Sequence, residues 1–275
     1  MDAIAGPLQD GITRRALLDL LILGSACGPL GVWVVLLRRS YAAESMAHAM
    51  LPGLVLAALI GAPLGLGAAA GLTLAAVAIA LAAGQRQVDG DTAVAVAVTA
   101  LVGLGTLLAL SPETPLRLGE ILFGDPLAVS RTDLLASAAL ALTILAALAL
   151  GHRTLTLGGF DSQAAPSLGA RPGGAAMLLL AMLALCTLIA VGALGNLLVV
   201  AIIIAPAAAA LRLCERLLPA LALAAALAVS AGIAGIYLSY WAEIAAGASI
   251  ALCAVATYLV AAATGGSHRL VKPLR

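Results

Sequence analysis

The feature that constrains this chain most is the length over which it carries no charge. From residue 45 to 85 the only ionisable side chain is His48, and 172–211 holds no acidic or basic residue. The stretches 92–110, 134–151, 217–242 and 244–267 are likewise uncharged, and 16–37 is interrupted only by Asp19. A helix needs about 20 apolar residues to cross the hydrocarbon layer. Backbone polar groups in that layer must be satisfied within the segment, which leaves helices or closed barrels. The short alternating patterns of a barrel are absent, and Ala, Leu and Gly dominate. The chain is 63% hydrophobic and 10% charged, where a soluble domain carries about 25% charged residues. A soluble enzyme, a nucleic-acid binder and a disordered chain are thereby excluded. With 3% aromatics and a net charge of +1 there is neither a stacking platform nor a field for a polyanion.

Two of the runs are too long for one helix. Gly61-Ala62-Pro63-Leu64-Gly65 breaks the first and Gly192-Ala193-Leu194-Gly195-Asn196 the second, giving about nine spans (eight to ten). The expectation is an all-α polytopic bundle in which 1–270 forms a single transmembrane domain and 271–275 a cytoplasmic tail. Arg14-Arg15 followed by an apolar run and Cys27 imitates an export signal, but is read as the first membrane helix. Alternating the loops puts ten basic residues on one side and Arg14, Arg15, Arg117 and Arg131 on the other. The richer side is expected in the cytoplasm, with the C-terminus.

Ionisable residues within spans are functional candidates by default. Glu44 and His48 in Glu44-Ser45-Met46-Ala47-His48-Ala49-Met50-Leu51-Pro52-Gly53 are four apart, on one face of a helix. Carboxylate and imidazole suit a divalent transition metal. Pro52 lacks the amide that would bond the His48 carbonyl, so Pro52-Gly53 predicts a helix break in a transport path. The plain alternative is a polar helix edge holding a salt bridge. Met46 and Met50 read as packing residues, as do the widely spaced Cys27, Cys186, Cys214 and Cys253. His152 and His268 read as interfacial. The stretch 152–173 is expected to be the longest polar cytoplasmic loop, with a short helix from Asp161 to Leu168. Asp89 and Asp91 flank a turn, Glu113, Glu120 and Asp125 lie in an outer segment, and Glu243 marks a turn.

The ordered set Cys27 to Arg39, Glu44 to Gly53, Ile121 to Leu127, Phe160-Asp161, Leu197 to Ala209 around Pro206, and Gly235 to Tyr240 resembles the ABC-3 family of bacterial zinc/manganese ABC permeases over almost the whole chain. The family's early motif reads approximately Asp-Ala-Leu-Ser-His-Ala-Val-Leu-Pro-Gly. Here Glu44 stands for its Asp and Ala47 for its Ser. The resemblance implies a bundle like that of type II ABC importers and a bacterial inner-membrane location. It implies that Glu44 and His48 contact the metal, with zinc first, then manganese and iron. It further implies a coupling helix in 158–170, with Phe160, Asp161, Ser162, Gln163, Ala164, Leu168 and Gly169 docking an ATPase dimer. Its remaining implied partners are a second permease copy, expected to be identical, and an external metal-binding lipoprotein or periplasmic solute-binding protein. No cofactor is intrinsic, and the chain lacks the phosphate-binding Gly-rich loop of an ATPase, so ATP belongs to the partner subunit and the permease is not itself an enzyme. The rival readings are a gradient-driven secondary transporter, an ABC permease for another small substrate, and an intramembrane protease.

Overall fold

A computed structural model describes residues 10–83, 90–111, 127–160, 174–194 and 196–264. All regular structure among them is helical. The helices are α1 (Gly11–Leu36), α2 (Ser40–Ala49), α3 (Leu51–Leu59), α4 (Leu64–Ala83), α5 (Gly90–Ala109), α6 (Arg131–Phe160), α7 (Gly174–Leu194), α8 (Asn196–Leu213), α9 (Leu217–Ala242) and α10 (Ala246–Thr264). Helices α2 and α3 form one apolar run interrupted at Met50, so the described chain makes nine apolar rods, as the sequence predicts. Among the described residues, five stretches are long and apolar enough to cross a membrane: Gly11–Leu36, Ser40–Leu59, Arg131–Gly159, Leu217–Ala242 and Ala246–Thr264. Apolar stretches of α4, α5, α7 and α8 are shorter.

Helix α1 is the centre of the larger group of helices. It packs against α6, α8 and α9, and α8, α9 and α10 pack against one another. Its residues Leu20, Leu23, Leu30 and Trp33 are fully buried. Lipid is as apolar as leucine, so helices in a membrane gain by close backbone approach at small residues. Gly24 and Gly28 supply this on α1. A β-carbon at Gly24 would sit 3.1 Å from the Val229 amide of α9, and one at Gly28 would meet the Ala224 backbone. Gly31 does the same for α8, lying against the Ile203 carbonyl and Ala207. A smaller group, α2 to α5, has its own core of Ala49, Ala75, Val94, Val98 and Leu101. It joins the larger one through α7 and α8.

Helices α1 and α6 run parallel. Their N-terminal ends, with Asp10 and Arg131, line one cavity. Towards their C-terminal ends the Trp33 and His152 rings meet edge to face at 5.8 Å, and Gly158 and Gly159 lie near Leu37. A parallel pair requires an even number of crossings before the second helix begins. The four counted through α5 meet that requirement.

The structure corrects one expectation. His152 and Arg153 do not open a loop, because α6 continues through Phe160. The polar residues there do not stop the helix. Thr156 Oγ1 donates back to the His152 carbonyl at 2.7 Å, and Leu155 is wholly buried. Two of the expected turns are where the sequence puts them, whereas Asp89 lies outside the described residues and Asp91 is already in α5. Gly61 takes φ +69° between α3 and α4, and Glu243 ends α9 at φ 55°.

Candidate functional site

Helix α2 turns one face inward and one outward. Ala42, Ala43, Ser45, Met46 and Ala49 are buried, as is Met50 that follows them. Glu44 is exposed and His48 half-buried, on the opposite side. Their four-residue spacing on the observed helix puts both on one face, as expected. A carboxylate on the open face of a membrane-embedded helix cannot rest against lipid tails. That face therefore needs water, an ion or another protein surface. By helical rise His48 stands about 13 Å along the axis from Arg39, close to half of a hydrocarbon layer about 30 Å thick.

The helix break lies where Pro52 predicts it. Met50 takes φ −78° and ψ −11° between α2 and α3. Pro52 cannot serve the His48 carbonyl, so the helical ladder is interrupted at this point. The ladder resumes with the Leu54 amide donating to the Met50 carbonyl at 3.1 Å. Four glycines clamp the break. Gly53 and Gly67 abut, a β-carbon at Gly71 would stand 2.6 Å from the Met50 carbonyl oxygen, and one at Gly105 would lie 2.9 Å from the Pro52 nitrogen. The interruption is therefore held in place by α4 and α5. Among the described residues, no group of three or more His, Cys, Asp or Glu side chains is placed to hold a metal. Glu44 and His48 stand as a pair on the outward face of α2.

Of the expected ATPase-docking residues, Phe160 is the last residue of α6. Asp161, Ser162, Gln163, Ala164, Leu168 and Gly169 lie outside the described residues, as do Glu113, Glu120, Asp125 and His268.

Two features escaped the sequence reading. Cys27 on α1 and Cys186 on α7 meet with their sulfurs 3.7 Å apart in the core. Their separation of 159 positions gives no hint of this. Asp19 is completely buried. Neither its carboxyl oxygens nor the Ser137 hydroxyl makes a full hydrogen bond, although Ser137 of α6 lies beside it. Its position as the one charge within the first run was the available signal.

The described residues thus form an all-helical bundle with a clamped break and a polar pair on the open face of α2. The ABC 3 transport family matches residues 9–265, and the chain belongs to that family. It is 36% identical over 249 residues to the manganese transport system membrane protein MntC of Halalkalibacterium halodurans, covering 90% of this chain and 85% of that one. It is 31% identical over 262 residues to a Haemophilus influenzae protein titled "Probable iron transport system membrane protein", covering 95% and 97%. Among solved structures it is similar to PsaBC from Streptococcus pneumoniae in complex with Fab, with a TM-score of 0.85 and 27% identity over 97% of this chain and 96% of that one. The chain is a multi-pass permease of an ABC importer.

Proposed function

We propose that this permease passes a divalent first-row metal ion through the bacterial inner membrane, and that Glu44 and His48 hold the ion in transit. The observation carrying this reading is the placement of a carboxylate and an imidazole together on the open face of α2, directly before a rigidly clamped break. Manganese is the first cargo and zinc the second. Zinc is the expectation from the family motif alone, but the relatives reported above are named for manganese and iron. A glutamate oxygen beside a single imidazole also leaves the remaining positions to water or carbonyl oxygen, which manganese accepts readily.

A two-donor site is completed by water or by the same face of a second, identical copy. Segment 158–170 serves as the coupling element that docks the ATPase dimer, beginning on the last turn of α6 at Gly158. Residues 160–164, 168 and 169 form its contact surface. ATP is hydrolysed in that partner, and a metal-binding lipoprotein or periplasmic binding protein delivers the ion from outside. Alternating access then moves the ion past Pro52-Gly53.

The test is ATP-dependent uptake by proteoliposomes holding the permease, its ATPase and its binding protein, comparing manganese, zinc and iron. Manganese uptake that is lost in Glu44→Ala and in His48→Ala, with the complex intact, supports the reading. Uptake indifferent to both changes removes the pair from the path. Zinc uptake exceeding manganese overturns the order of cargoes.

A further inference from the structure

The N-terminal ends of α1 and α6 line an open cavity of about 670 Å³, with Arg14, Arg15 and Arg131 among its lining residues. Residues more than a hundred positions apart thus gather three guanidinium groups at one place. The nearby acids offset them only in part: three guanidinium groups stand against Asp10, which lines the same cavity and lies close enough to Arg15 to interact with it, and Asp133. Asp10 is turned to the first turn of α1, accepting from the Ile12 amide at 3.2 Å and the Thr13 hydroxyl at 2.9 Å. Asp133 is turned to Ser130, accepting from its amide at 2.9 Å and its hydroxyl at 2.6 Å. Arg15 donates through Nε to the Gly11 carbonyl at 3.3 Å. Arg14 and Arg131 form no ion pair among the described residues.

Two further observations define what fits. Four residues beyond Arg14 stands Leu18, and four beyond Arg131 stands Leu135; both leucines line the same cavity and both are exposed. On two parallel helices this places an apolar pair about 6 Å deeper than the cationic pair, by helical rise. The distribution of basic residues also leaves only four on the poorer side of the membrane, and three of those four meet here. Cations on that side run against the topological preference, so a local use for them is called for.

We infer that this cavity binds the headgroup of an anionic glycerophospholipid. The phosphate sits among Arg14, Arg15 and Arg131, and the acyl chains descend over Leu18 and Leu135. Bidentate guanidinium–phosphate pairing supplies the headgroup contact. The exposed leucines favour an amphiphile over the acidic surface of a docking protein, which would leave them facing polar atoms. The lipid then staples α1 to α6 at the end opposite the Trp33–His152 contact. It does not depend on the identity of the transported ion.

The experiment takes the purified permease–ATPase complex in mixed micelles containing dioleoylphosphatidylglycerol or dioleoylphosphatidylcholine. Retained lipid is counted by native mass spectrometry and melting is followed in parallel. The wild type is expected to retain phosphatidylglycerol and melt higher with it than with phosphatidylcholine. Arg14→Gln/Arg131→Gln is expected to bind it roughly thirtyfold more weakly, from the loss of two interfacial charges. Arg14→Lys/Arg131→Lys, which keeps the charge but loses the bidentate fork, is expected to bind more weakly than the wild type and more tightly than the glutamine variant, a graded loss that misfolding would not give. Equal retention of both lipids by the wild type overturns the proposal, as does undiminished binding by the glutamine variant. Inorganic phosphate raising the melting temperature as much as phosphatidylglycerol makes it a free-anion site and overturns the lipid assignment. So does a glutamine variant that keeps its lipid but binds the metal-loaded binding protein more weakly.

Discussion

Gly53 on α3 and Gly67 on α4 approach so closely that a β-carbon on either would collide with the carbonyl oxygen of the other. The contact fixes the segment that follows the helix break, one turn beyond His48. Alanine at either position would raise intrinsic helix propensity by up to about 1 kcal/mol, but forcing backbones apart in a packed interface costs about 1–3 kcal/mol. The clash wins. Gly53→Ala and Gly67→Ala are expected to lower the melting temperature of the detergent-solubilised permease and to reduce uptake. Gly65→Ala, on the same helix α4 with nothing near its β-carbon, is the control and is expected to leave both unchanged.

The ring contact between Trp33 and His152 carries a second expectation. An edge-to-face pair is worth about 0.5–1.5 kcal/mol beyond the area it buries. A double-mutant cycle with Trp33→Leu and His152→Leu should return a coupling energy of that order in thermal or denaturant melts. A coupling near zero would mean that α1 and α6 are held together by the aliphatic contacts alone.

This contact also shows where sequence reading ends. The span count, the turns at Gly61 and Glu243 and the break at Pro52 follow from local chemistry: charge-free length, a left-handed glycine, a missing amide. They were legible. His152 was misread as part of a loop because polarity was taken to end the helix. Thr156 bonding back to the His152 carbonyl and the buried Leu155 keep it helical instead. The Cys27–Cys186 and Asp19–Ser137 neighbourhoods depend on helix rotation and packing partners, which periodicity does not encode when nearly every face is apolar. That Glu44 and His48 share a helix face follows from their four-residue spacing. Their position opposite the buried face of α2 emerged only with the fold.

Asp19 gives a third expectation. A buried carboxyl without a full hydrogen bond destabilises its surroundings. Asp19→Asn preserves the shape and offers an amide donor to the Ser137 hydroxyl oxygen. The variant is expected to fold and to melt no lower than the wild type, with a gain of about 1 kcal/mol at most. A melting temperature well below wild type would show that the carboxyl has a partner that this packing does not reveal.

The N-terminal end of α1 should respond to acid. Asp10 is held below its ordinary value of 3.8, first by the Ile12 amide and then by the Thr13 hydroxyl, both of which favour the carboxylate. A depressed folded-state value means that the cap contributes fully above the ordinary value and fades as pH falls through the lowered one. The first turn of α1 is expected to fray below about pH 4. The readout is a spin label or fluorophore placed at Gly11. Asp10→Asn, which caps without titrating, should remove the pH dependence.

The last expectation concerns ligand length at the candidate path. Glu44 occupies a position where the family motif carries the shorter aspartate, so the site has accommodated one additional methylene. Glu44→Asp keeps the charge and one oxygen pair but withdraws it toward α2, and Glu44→Gln keeps the length while removing the charge. If the carboxylate holds a divalent ion in transit, charge matters more than reach, because a hydrated ion on an open face can shift to meet its ligand. Uptake is therefore expected to stay within about threefold for Glu44→Asp and to fall by about tenfold or more for Glu44→Gln. Initial rates of manganese uptake in proteoliposomes, at matched complex content, decide this. Equal loss in the two variants would indicate that Glu44 positions α2 sterically and that the ion is held elsewhere.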